Sequence, residues 1–98
     1  MPMIRSQKLT KAANGESCTW PGCSRNDGTT VAAHSNMSLH GRGSSLRAHD
    51  CFIAFLCGPH HYEYDYGKNM DRMEKEWHFM RAMSLTWLRL IDKGLIRL

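Results

Sequence analysis

From Met70 onward, apolar side chains recur three and four residues apart: Met70, Met73, Trp77, Met80, Met83, Trp87 and Ile91. That spacing lines one face of an α-helix, so residues 69–93 are expected to form a long helix. This stripe would be its packing face, turned to the core or to a second copy of the chain in a homodimer. Asn69 or Asp71 can cap its start, Glu74 can complete a capping box with Asp71, and Gly94 ends it. The tail LIRL beyond is read as a short strand. Upstream the pattern changes. CFIAFLC, residues 51–57, is apolar throughout and bounded by Asp50 and Gly58-Pro59, which suits a buried strand better than so short a helix. TTVAAH is a second β-prone run, ending at His34. PHHYEYDYG has the length of about two helical turns, with Pro59 near its start and Gly67 at its stop. A mildly helical stretch from Ile4 to Ala13 is broken by Asn14-Gly15. Between the strands, SNMSLHGRGSSLRAH, residues 35–49, reads as a loop rich in glycine and serine. The pattern is α+β, one domain over residues 1–98, with a mixed core at 9–67 and the long helix after it.

A chain of 98 residues buries a smaller share of its surface than a larger one, so a staple is expected. No segment has the length and apolarity of a membrane span, and MPMIRSQKLTKAANGES lacks the apolar stretch of a signal peptide. A cytoplasmic location without membrane partners is therefore expected. There the four cysteines point to metal rather than disulfides. The net charge of +4 is modest but concentrated in the first half, where Arg5, Lys8, Lys11, Arg25, Arg42 and Arg47 face Glu16, Asp27 and Asp50. This suits an anionic partner such as nucleic acid, and also a merely soluble surface.

Structural zinc takes four tetrahedral ligands, usually thiolate or imidazole, from two short loops that each give a pair. Cys18 and Cys23, around a Pro-Gly turn, make one pair, and Cys57 with His60 makes the other. Cys51, inside the apolar run, is read as a core residue. His61 and Asp65 are one helical turn apart and share a face, whereas His60 points about 100° away around the same helix. Adjacent histidines can thus serve two metals: His60 a closed structural zinc, His61 with Asp65 an open divalent site for Mg²⁺, Mn²⁺ or Zn²⁺. His34 can take a proton from water beside such an ion, and Asp50 can either orient that imidazole or join the metal shell. Arg42 and Arg47 lie on the glycine-containing loop, whose composition suits a solvated surface connection as well as a loop that grips phosphates.

The order of these features, a cysteine pair, a strand ending in histidine, a second strand, then C-x2-(C/H)-H opening a helix, resembles the His-Asn-His (HNH, or His-Me finger) nucleases of the ββα-metal fold. LTKAANGESC, AHSNMSLHGRGSSLRAHD and LCGPHHYEYDYG are similar to small phage- and prophage-encoded nucleases of the YbcO type, as is WLRLIDKGLIRL. The resemblance implies a zinc-stapled HNH-like domain followed by a long C-terminal helix, acting in a bacterial host cell. It implies a DNA endonuclease that hydrolyses phosphodiester bonds to leave a 5′-phosphate, with His34 as general base and His61 and Asp65 as ligands of the catalytic ion. Cys18, Cys23, Cys57 and His60 would form the zinc knuckle. Three positions depart from the family pattern: Ala33 stands where an acidic or histidine ligand is frequent, Asp50 where asparagine is usual, and His60 where cysteine is commoner. Ala33 is the argument for a rival reading, a non-catalytic zinc-stapled nucleic-acid-binding module. A third is a phage recombination or packaging adaptor working through the Met- and Trp-rich helix.

Overall fold

The computed structural model describes residues 2–98. Five elements follow one another: α1 (Gln7–Lys11), β1 (Val31–His34), β2 (Ile53–Leu56), α2 (Gly58–Tyr66) and α3 (Arg72–Asp92), with one 3₁₀ turn at Ser38–His40. The strands pair antiparallel, from Val31 opposite Leu56 to His34 opposite Ile53. The apolar run at 51–57 therefore yields a strand of only its central part, and Cys51 lies outside it, half-buried against the core.

Every residue of β2 is buried because both of its faces are covered. Ile53 and Phe55 pack with Leu9, Ala13 and Leu90, while Ala54 and Leu56 pack with Trp20, Tyr64, Phe79, Ala82 and Met83. Trp87 touches both clusters, and its indole N–H donates to the Cys51 carbonyl at 2.7 Å. The edge of β2 is closed by side chains. Thr86 accepts from the Phe55 N–H at 3.0 Å, the Thr19 hydroxyl donates to the Phe55 carbonyl at 3.0 Å, and the two hydroxyls meet at 3.1 Å. The outward N–H and carbonyl of Phe55 are thereby satisfied.

α3 begins at Arg72, three residues after the expected start, and of the two expected caps it uses Asp71, whose carboxylate accepts from the Glu74 N–H at 2.8 Å. Among the described residues only this half of the capping box forms. The buried face is not the expected stripe, however. Phe79, Ala82, Met83, Thr86 and Leu90 are buried, whereas Met73, Trp77 and Met80 are exposed. Apolar residues occupy two adjacent faces of this helix, and the one with Phe79 and the small Ala82 fits closely against the sheet. Only Met83 is fully shared by the expected and observed faces, with Met70 and Trp87 half-buried beside them. The LIRL tail forms no strand: after Gly94, at φ 76°, the Leu95 N–H returns to the Leu90 carbonyl at 2.9 Å, and Leu95 and Ile96 fold back against the second cluster. No helix among the described residues is long and apolar enough to cross a membrane.

Candidate metal centre and polar groove

The knuckle is built by local turns. Cys18 N–H donates to the Arg25 carbonyl at 2.8 Å and Cys23 N–H to the Trp20 carbonyl at 2.8 Å, which curls CTWPGC around one point. The other pair comes from the end of β2 and the first turn of α2. The ligand atoms of Cys18, Cys23, Cys57 and His60 all lie within 4.8 Å of one another. His60 Nδ1 is 3.6 Å from Cys18 Sγ and 3.3 Å from Cys57 Sγ. A tetrahedral zinc with sulfur at about 2.3 Å and nitrogen at about 2.0 Å separates such ligands by roughly 3.5 Å, so the residues fit.

Two backbone amides, of Trp20 and Arg25, point at Cys18 Sγ and Cys23 Sγ and would stabilise thiolate charge. Burial pushes the Cys18 thiol up to about 12, so in the metal-free chain it holds its proton at neutral pH, and a cation reverses that preference. Burial, then the nearby Arg25 charge, lowers the His60 pKa and keeps the imidazole neutral, the form that ligates metal. Trp20 stacks on the His60 ring at 5.5 Å between centroids and on His78 at 5.3 Å, fixing the plane of the ligand. The cluster can therefore hold a structural metal ion such as zinc.

On the other side of α2, His61 faces away from this cluster. Its Nε2 lies 3.1 Å from Asp65 Oδ2, and both line a cavity of about 510 Å³ with His34, Asn36, Arg42 and Arg47. A nitrogen and an oxygen about 3 Å apart suit neighbouring positions of a six-coordinate ion with bonds near 2.1 Å. The structure thus brings five of the residues singled out from the sequence, His34, His61, Asp65, Arg42 and Arg47, around one open space.

Asp50 is not among them. It is buried behind His34, whose Nε2 donates to Asp50 Oδ1 at 2.8 Å. Arg5 and Arg47 approach the same oxygen at 3.4 and 3.6 Å, and the Ser6 N–H donates to Oδ2 at 2.7 Å. Burial alone would raise its pKa, but the bonds from His34 and Ser6 and the charges of His34 and Arg47 outweigh that and hold it below the usual aspartate range. An ionised carboxylate only accepts, so the His34 proton sits on Nε2 and Nδ1 is left as an acceptor. With both oxygens engaged, Asp50 is an orienting partner of the imidazole. It is not placed as a metal ligand. Ala33 turns into the core and offers nothing to the cavity.

Three further residues, not singled out from the sequence, contribute to the site. Asn36 donates from Nδ2 to Asp65 Oδ1 at 3.1 Å, and its backbone N–H donates to the Tyr64 hydroxyl at 2.8 Å. Arg5 and Ser6 reach Asp50 from the N-terminal segment, which is strapped to the loop by the Asp50 N–H donating to the Ile4 carbonyl at 2.9 Å and by Arg5 bonds to the Ala48 and Arg47 carbonyls. A serine-asparagine step directly after a strand-ending histidine was the available signal for Asn36; for Arg5 and Ser6 the sequence carries none.

The loop between the strands is held in shape. His40 is buried, meets Ser35 Oγ at 2.7 Å and stacks on Phe52 at 4.3 Å. Gly41 follows at φ 94°, and a Cβ there would come within 2.8 Å of the His49 ring. The chain can thus turn closely enough to aim Arg42 into the cavity, with its guanidinium bonded to the Gly43 and Leu46 carbonyls.

This fold has a solved counterpart. It is similar to a structure described as a putative bacteriophage protein from Escherichia coli str. K-12 substr. MG1655, with a TM-score of 0.64 and 26% sequence identity. The likeness covers 88% of this chain and 99% of that one. No family model and no curated protein matches the chain.

Proposed function

We propose that the protein is a metal-dependent DNA endonuclease of phage or prophage origin. The observation that carries this reading is the single cavity in which His34, oriented by Asp50, faces the His61–Asp65 pair, with Arg42 and Arg47 at its border. The likeness to a phage protein supports the origin. His34 Nδ1 accepts a proton from the attacking water, and the Nε2–H bond to Asp50 stabilises the imidazolium that results. Arg42 and Arg47 bind phosphate oxygens and position the diester. A divalent ion at His61 and Asp65, Mg²⁺, Mn²⁺ or Zn²⁺, would supply charge stabilisation at phosphorus and at the departing oxygen. Asn36 holds Asp65 in place.

The test is His34→Ala, assayed on plasmid and linear DNA with each of these ions. Loss of a general base lowers the cleavage rate by about 10²- to 10⁴-fold. Undiminished cleavage by the variant overturns the assignment. The buried Ala33 favours one rival, a zinc-stapled nucleic-acid-binding module, and a wild type that binds DNA but never cuts it with any ion establishes that rival.

A further inference from the structure

The polar groove does not stop at Asp65. Asn36 is a wall shared by two cavities, the one around His34 and a second of about 300 Å³ lined by Tyr64, Arg72, Lys75 and Glu76. Basic groups therefore line both cavities that meet at Asn36, the residue bonded to Asp65: Arg42 and Arg47 from the loop in one, Arg72 and Lys75 from the first turn of α3 in the other. That second pair is not fully used by contacts within the protein. Cations at a helix N-terminus face the positive end of its dipole, and both side chains have only modest partners. Arg72 lies 3.2 Å from Glu76 with its side chain 87% exposed, and Lys75 gives one of its three donors to the Gly67 carbonyl.

We propose that Arg72 and Lys75 form a second phosphate subsite, so that a nucleic-acid strand lies along the groove with backbone phosphates gripped on both sides of the His34 and His61–Asp65 centre. The placement of the reacting diester rests on the nuclease reading above; the subsite itself requires only that a strand binds. An extended polyanion satisfies all four basic groups at once, whereas a mononucleotide reaches one pair.

The test compares His34→Ala with the same chain carrying Arg72→Gln and Lys75→Gln, by fluorescence anisotropy with labelled single-stranded oligonucleotides, across a salt series. With an oligonucleotide of about twenty residues, the added substitutions should weaken binding roughly tenfold and flatten the slope of log K against log salt by about 1.4, the value for two lost contacts on a single strand. With an oligonucleotide of about three residues, affinity should fall by no more than about twofold, since so short a strand fills one subsite and the one at Arg42 and Arg47 remains. Arg72→Lys with Lys75→Arg should restore binding to the long probe, and equal zinc content and thermal midpoint establish that each variant is folded. Unaltered affinity and slope for the long probe overturn the subsite. The two readings fail separately. If the wild type binds through Arg72 and Lys75 but cuts with no ion, the nuclease reading falls and the subsite stands. If the wild type cuts and Arg72→Gln/Lys75→Gln binds and cuts as well as it does, the subsite falls alone.

Discussion

Asp50 shows how much one carboxylate can organise. It draws together an imidazole, a backbone amide and two guanidinium groups from three separate parts of the chain. Because its folded pKa is depressed, the stability it contributes is fully present above its unfolded value, near 3.9, and is lost as pH falls through the folded value. The margin of wild type over Asp50→Asn should thus be greatest at neutral pH and shrink below about pH 4, checked by thermal unfolding of both proteins across that range. The same variant distinguishes orientation from ligation. Divalent-ion affinity, measured by calorimetry, should be unchanged by Asp50→Asn and should fall with Asp65→Asn; a loss in both would make Asp50 a ligand after all.

At the scale of elements, α3 carries the clearest energetic contrast. Phe79 is fully buried against Tyr64, with ring centroids 4.5 Å apart, whereas Trp77 is exposed and contacts Arg81 with its face. Phe79→Ala should cost about 3–5 kcal/mol, and Trp77→Ala less than about 1 kcal/mol, in urea unfolding of the zinc-loaded protein. The reverse order would restore the Met and Trp stripe as the packing face. That stripe shows what sequence can and cannot carry. The existence, cap and end of α3 depend on neighbours in the chain, Asp71 and Gly94 among them, and were legible. Which of two adjacent apolar faces meets the sheet depends on shape, here on Phe79 and Ala82, and was not. For the candidate site the division is similar. Cys57 with His60, and His61 with Asp65, are short-range pairs, and the divergence of the two histidines follows from helical geometry. The burial of Asp50 by Arg5 and Ser6 joins segments more than forty residues apart, as the bonds between residues 5 or 6 and 50 show, and nothing local announces it.

At the scale of the whole molecule, the Cys18, Cys23, Cys57 and His60 cluster ties the N-terminal half to α2 and sits beside Thr19, which binds both β2 and α3. Zinc binding must displace the Cys18 proton held by burial, so affinity should rise with pH, and acidification should release metal and unfold the chain together. Competition with a chromophoric chelator, followed alongside circular dichroism, checks this; a metal-free chain with an unchanged melting curve would show that the cluster is dispensable.

The closure of β2 by Thr86 has a consequence for how the protein is made. While a ribosome is still building the chain, residues up to His60 can already gather around a metal, but the exposed side of β2 has no cover until α3 has emerged as far as Leu90. During that interval the outer edge of β2, which is paired with β1 on one side only, is open to other chains, a hazard that grows with crowding on a message. Slow translation between the codons of Tyr66 and Leu90 should therefore favour aggregation, read as the insoluble fraction of the expressed protein.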